Sequence, residues 1–337
     1  MRSLVYGSIA GTALRHSRTP ITPDAARYAA EVIDLHTHSS FSDGSDTPAQ
    51  LAHKAHELGI SAIALTDHDT TESHDEMREA CDTLGIEHIT GVEISLRDNE
   101  FPRRRNGETS PRNVHVLAYF PPLAPEHPLQ KRLADLRHGR DRRNRKLVGL
   151  LQGYGFERVS IEYVTTLARS SYSVGRPHFA QAMFDLHPEI VGEQNDENWN
   201  RLFTDWLGTG GKAYLSKSDM SIEDFTGAAE GSHTVFSIAH PLMNYLDQGD
   251  DASIEATMPT VLGSLRERGF KGVEAYYGAS SSATRALMVK LTRDAGMIPT
   301  GGSDYHGAYK ENVALGRGLT GDLRVPLEVL EELKAAR

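Results

Sequence analysis

Apolar and polar positions alternate in short runs along the chain, and between the runs lie stretches of helical period. Ile33, Leu35 and Thr37 alternate with Asp34, His36 and His38. That period of two predicts a strand with His36 and His38 on one face. Thr47-Pro48 then reads as an N-cap followed by Pro in the first helical turn, and Leu51, Ala55 and Leu58 carry the helix to a stop at Gly59. The pattern repeats with an apolar run from Ser61 to Thr66, a helix from about Glu72 to Leu84, a strand from Ile86 to Glu93 and another from Val114 to Phe120. Later strands over Val235–Ala239, Gly272–Tyr276 and Ile298–Gly301 alternate with helices near 254–268 and 281–295. About seven strands in such alternation predict an α/β fold built on a parallel sheet or barrel. Residues 98–113, rich in Arg, Asn, Gly and Pro, read as an exposed loop or hairpin tip.

Between about 123 and 215 the rhythm breaks. Helical patterns over Leu129–Leu151, Ile161–Leu167, Pro177–Leu186 and Asn198–Leu207 follow one another with no clear strand. The expected organisation is therefore an N-terminal extension over 1–31, a barrel over 32–122 and 216–337, and a helical insertion over 123–215 that covers the active site.

Composition narrows the class only modestly. At 337 residues, 39% hydrophobic and 24% charged, the chain can bury one large core, and no run approaches a membrane span. The start, Met1 to Leu14, lacks an apolar core with a cleavage site and reads as an extension, so a cytoplasmic location is expected. Cys81 is the only cysteine, which excludes an intrachain disulfide and a thiolate metal site. Charge is uneven: the net is −10, yet residues 97–146 hold 13 Lys and Arg against 6 Asp and Glu. That block is either a solvated helix face or a patch that receives an anionic substrate. Overall acidity argues against a general nucleic-acid surface.

Acids and histidines recur at or just beyond the ends of the predicted strands: His36, His38, Asp43, His68, Glu93, His115, His240, Asp304 and His306. In a parallel β/α barrel those ends converge on one face. All nine offer nitrogen or oxygen, which suits Mn, Fe or Zn. They are too many for one ion but suit a cluster with a bridging carboxylate. Asp67 and Asp69, flanking His68, read as supporting or helix-capping groups. Arg137, Arg140 and Arg143 share one side of a predicted helix, facing either solvent or substrate. At Gly175-Arg176-Pro177-His178, Pro177 marks a helix start whose free N–H groups suit an anion. There Arg176 could clamp a phosphate, and His178 could donate to a phosphate oxygen or a leaving alcohol. His53, His56, His74, His88, His127, His138, His187 and His233 lack the strand-end placement.

Four motifs together resemble the PHP (polymerase and histidinol phosphatase) family of metal-dependent phosphoesterases. They are Asp-Leu-His36-Thr-His38 with Ser-Asp43-Gly, Thr-Asp-His68-Asp, Gly-Val-Glu93-Ile-Ser and Gly-Ser-Asp304-Tyr-His306, with His115 and Ala-His240-Pro at the remaining ligand positions. The likeness covers about 32–120 and 233–310. It implies a distorted (β/α)7 barrel and three divalent metal ions. One would lie on His36, His38, Glu93 and Asp304, a second on Asp43, His68 and His306, and a third on His115 and His240, with Glu93 shared. Some trinuclear members have His where this chain has Asp43. That departure, with the helical insertion and the Gly-Arg-Pro-His motif, points to the branch resembling nucleotide phosphatases and 5′→3′ exoribonucleases.

The expected activity is hydrolysis of a terminal phosphate monoester of a nucleotide, AMP-like or a 3′,5′-bisphosphate, by a metal-bridged hydroxide. Asp304 and His178 are the expected catalytic groups, and Arg176, His178, Arg140 and Arg143 the expected substrate contacts. A 5′→3′ exoribonuclease of short RNA is the second reading, although no aromatics interleave with the basic residues as base-stacking surfaces require. A non-catalytic metal-binding module is the third, and retention of all nine donor positions argues against it. The expected partner is a small phosphorylated substrate, with no membrane involved.

Overall fold

The computed structural model describes residues 32–105, 107–168, 174–208, 210–215, 220–246 and 250–337. The extension expected over 1–31 lies outside them. Seven strands, β1 (Val32–Thr37), β2 (Ile60–Leu65), β3 (Glu87–Arg105), β4 (Glu108–Tyr119), β5 (Val235–Ile238), β6 (Gly272–Tyr277) and β7 (Ile298–Gly302), form one sheet in chain order. The sheet curls until its ends nearly meet. Asp304 N–H donates to His36 O and His38 N–H to Tyr305 O, both at 2.9 Å. Buried Asp34 fastens this seam by accepting from Ser303 N (2.9 Å), Ser303 Oγ (2.6 Å) and Gly316 N (2.8 Å). At Gly302 a Cβ would stand 2.4 Å from His36 N, so only glycine lets the two edges approach this closely.

The sheet is not wholly parallel, which corrects the expectation from sequence. β4 runs antiparallel to both β3 and β5. Its cause is local: β3 and β4 meet at a tight hairpin next to Gly107 (φ 81°), and a short turn can join only antiparallel strands. The stretch 98–113, expected as a loop or hairpin tip, is largely this two-stranded extension. His115 therefore lies within its strand and Glu93 in mid-β3, yet both still face the other donors.

Helices cover the sheet. α1 (Pro48–Glu57) begins at Thr47, whose side chain accepts from Gln50 N while Gln50 answers Thr47 N–H. α2 (His74–Leu84) buries Met77 and Cys81 with Leu51 and Ala55 of α1 against Ile63 and Leu65. Between β4 and β5 come α3 (Pro128–Gly153), α4 (Ile161–Thr166), α5 (Arg176–Leu186), α6 (Pro188–Val191), α7 (Asp196–Leu202), a π-turn (Phe203–Leu207) and α8 (Ile222–Ala228). Leu147, Leu151, Phe156, Phe179, Met183 and Leu207 give that region a core of its own. α9 (Pro241–Tyr245), α10 (Asp251–Glu267), α11 (Ser282–Asp294) and α12 (Leu327–Ala335) complete the chain. Among the described residues no helix is long and apolar enough to cross a membrane.

Candidate metal centre and substrate cavity

β1 delivers His36 and His38 to one point, their Nε2 atoms 3.2 Å apart. The following turn brings in Asp43 because Asp67 grips it. The Asp67 carboxylate accepts from Ser39 N (2.8 Å), Ser39 Oγ (2.7 Å) and Ser42 Oγ (2.7 Å). Glu93 stands at the centre. Its Oε1 faces His115 Nδ1 at 2.7 Å and His240 Nε2 at 2.9 Å. Its Oε2 faces His36 Nε2 at 3.3 Å, His38 Nε2 at 3.1 Å and His68 Nδ1 at 3.3 Å. Asp304 Oδ1 lies 3.5 Å from His38 Nε2, and His306 Nε2 lies 3.5 Å from Asp43 Oδ1. Three subsets bring their donor atoms within the span of a single ion: His38, Asp43, His68 and His306; His36, His38, Glu93 and Asp304; and His68, Glu93 and His115.

These residues fit divalent cations. Asp43 Oδ1 and His68 Nδ1 are buried without a hydrogen-bond partner in the protein, which is costly unless a cation satisfies them. Five imidazoles crowd one carboxylate that offers about four lone-pair directions. His36 Nδ1 lies 2.7 Å from Glu274 Oε1, so it donates there and leaves its Nε2 lone pair for the cluster. Glu274 Oε2 also accepts from His240 N at 2.6 Å. It thereby holds His240 at φ 27°, and His240, Asp69 and Asp304 all carry positive φ beside the site. Burial alone would raise the Glu93 carboxyl. His68, His115 and His36 outweigh it, so Glu93 stays ionised well below the usual range.

Above the donors lies a cavity of about 540 Å³. Its wall holds Arg140 and Arg143 of α3, buried at 9% and 8% exposure, and Arg176 at the start of α5. Arg140 pairs with Asp69. Arg143 donates to Asn144 Oδ1 at 2.7 Å, and the Arg176 guanidinium stacks over Tyr214 at 5.1 Å. Burial, with Arg140 and Arg176 alongside, pushes Arg143 down to about 9, although Asp69 partly offsets the shift.

Of the two faces open to the arginine stripe, α3 turns Arg140 and Arg143 inward, while Arg137 donates to Asp69 O at 2.9 Å. His178 is not brought to the cavity wall. It is 2% exposed, and its Nδ1 accepts from Gly175 N at 3.0 Å, so the ring turns back to cap its own helix. Asp67 and Asp69 support the site from behind, as their positions beside His68 suggested. Sequence reasoning missed Glu274, Lys310, whose Nζ lies 2.7 Å from Asp304 Oδ2, and the cavity residues Trp199, Phe203, Tyr277 and Tyr309. Only Glu274 left a trace in the sequence, as a lone acid in the strand Gly-Val-Glu-Ala-Tyr.

A nearly closed barrel with buried His, Asp and Glu donors at one end is the frame of a metal-dependent hydrolase. The chain belongs to the PHP domain family, whose model matches residues 34–224, and it is a metal-dependent phosphoesterase of that family. It is 28% identical to a phosphoribosyl 1,2-cyclic phosphate 1,2-diphosphodiesterase of Eggerthella lenta, over 82% of this chain and 95% of that one. It is 27% identical to a 5′-3′ exoribonuclease of Haemophilus influenzae, over 81% and 89%. With a 3′,5′-nucleoside bisphosphate phosphatase of Chromobacterium violaceum it shares 26% identity over 81% and 87%. Among solved structures, an amidohydrolase of Chromobacterium violaceum with bound sulfate superposes with a TM-score of 0.72 at 25% identity, over 90% of this chain and 96% of that one.

Proposed function

We propose that the chain hydrolyses the terminal phosphate monoester of a nucleotide, of the AMP or 3′,5′-bisphosphate type, and that residues 123–215 form a helical cover over the barrel. One observation carries this reading: the metal-donor cluster and the Arg140, Arg143 and Arg176 wall border the same cavity. In this assignment His36, His38, Glu93 and Asp304 hold one ion and Asp43, His68 and His306 a second. His115 and His240 hold a third, with Glu93 common to the first and third. Three ions of the Mn, Fe or Zn kind would polarise the phosphoryl oxygens and activate water when bound there.

The protein's own part is to bind and orient. Arg176 presents a planar fork to the phosphate, backed by Tyr214. Arg140 and Arg143 add charge from α3. Asp304 anchors Lys310 beside the reacting centre, and the departing alkoxide takes its proton from water or from His178, whose ring packs on cavity-lining Tyr309. The relatives' names support a ribose-linked phosphate as the substrate class.

The second reading, a 5′→3′ exoribonuclease, draws on the basic stretch 97–146 and the Haemophilus influenzae relative. The full donor cluster speaks against a non-catalytic module. Metal-loaded protein, offered AMP, a 3′,5′-bisphosphate and a 5′-phosphorylated dinucleotide, is expected to release inorganic phosphate from the first two and none after chelation. Release of mononucleotide from the dinucleotide alone would favour the exonuclease, and turnover of nothing would favour the binding module.

A further inference from the structure

Besides the arginines, α7 and the π-turn contribute Trp199, Asn200 and Phe203 to the same cavity. Trp199 and Phe203 are one helical turn apart, with ring centroids 5.7 Å from each other. Phe184 of α5 stacks on Trp199 at 5.9 Å with an interplanar angle of 8°. Both the indole and Phe203 are half-buried, so each is packed on the protein while still bordering the cavity. The helix also changes its winding at Phe203, where five residues adopt the π form, a rare geometry that recurs at functional sites.

A bare phosphate gains nothing from a wall of this kind, and a sugar offers it only the edge of a puckered ring. A phosphate ester needs cations and donors, which the metal cluster, Arg140, Arg143 and Arg176 supply. Two large aromatic rings fixed by packing offer a stacking surface, and every nucleobase has a flat face that fits one. Asn200 adds an amide that can donate to or accept from a base edge.

We propose that Trp199 and Phe203, with Asn200 beside them, form a nucleobase-binding shelf that makes this site selective for base-bearing phosphate esters over base-free sugar phosphates. The proposal rests on the phosphomonoesterase reading for the position of the phosphate, and it goes further by assigning the other end of the substrate. Because the relatives' names include both a base-free phosphoribosyl cyclic phosphate and nucleotides, it also separates this chain from the former.

The chain has two tryptophans, Trp199 and Trp206. Trp206 packs on Phe156 at 4.9 Å within the helical region, away from the cavity lining. In metal-loaded Trp206→Phe protein, AMP is expected to quench the remaining tryptophan fluorescence and ribose 5-phosphate to leave it unchanged. Kinetically, Trp199→Leu and Phe203→Leu should each raise KM for AMP by about 5- to 150-fold and leave kcat/KM for ribose 5-phosphate unaltered. Equal quenching by both ligands, no quenching by AMP, or an unchanged AMP to ribose 5-phosphate preference in folded variants would overturn the shelf. If the unaltered enzyme turns over neither compound, the phosphomonoesterase reading fails, and quenching by AMP still decides the shelf on its own.

Discussion

Glu274 governs two donors at once, since one oxygen takes the His36 ring and the other the backbone N–H of His240. Glu274→Gln keeps the shape but replaces one acceptor with a donor, so one of these contacts must fail. Metal affinity is expected to fall about 10- to 100-fold, measured by competition with a chelator; unchanged affinity would remove Glu274 from any role in orienting the donors. Glu93→Ala should abolish activity and lower bound metal at more than one site, while Asp43→Ala should disturb mainly its own. Full metal occupancy in the Glu93 variant would sink the shared-carboxylate assignment. Arg176→Lys keeps charge but loses the planar fork, so activity on nucleotide monophosphates should fall at least tenfold with metal content intact. Equal rates in steady-state kinetics would mean that Arg176 does not grip the phosphate. The candidate donors stood out in the sequence as polar residues in a period-two pattern or at a predicted strand end, although Glu93 and His115 lie within longer strands than that pattern suggested. Lys310 and Trp199 carried no such mark: their meaning comes from contacts with residues distant in sequence.

At the scale of the element, α3 is tied down by a charge. Arg140 meets Asp69, whose other carboxylate oxygen accepts from Ser95 N at 3.2 Å. Removing the guanidinium leaves a buried carboxylate without its counter-ion, a loss of about 3–5 kcal/mol for a buried pair. Arg140→Met should therefore lower unfolding stability by that order in urea titrations, and the double variant with Asp69→Asn should cost less than the two singles added together. Strict additivity would show that the pair does not couple. Most helices were readable from caps and period, Thr47-Pro48 with Gly59 most plainly. The reversal of β4 was not taken from the alternation, because a period of two is the same in either direction. Its signal lay instead in Asn106-Gly107, a dipeptide that favours a hairpin and so forces the next strand to run back. α8 and α12 were passed over because one is very short and the other follows a loop of mixed polarity.

For the whole molecule, the metal centre is also an electrostatic bargain between buried acids and imidazoles. Burial lowers the His38 ring, but hydrogen bonds to Asp304 and Glu93 outweigh it and raise it to about 9. A raised histidine stabilises the fold fully below its unfolded value, about 6.5, and that contribution disappears as pH rises through the folded value. Protein stripped of metal should then lose thermal stability between pH of about 6.5 and about 9, and metal binding in that window should release protons. Calorimetry of chelated and loaded samples across pH checks this, and a flat profile for the chelated protein would contradict it.

The seam at Asp34 and Ser303 joins residues 269 positions apart. Because the donors run from the first strand to the segment beyond the last, all seven strands must be synthesised before Asp304 and His306 can meet His36 and His38. Closing so long a loop is entropically slow and must precede the contacts that reward it. Metal capture thus waits on barrel closure: a nascent chain halted after β6 holds only part of the cluster, and tight metal retention becomes a signature of the closed barrel.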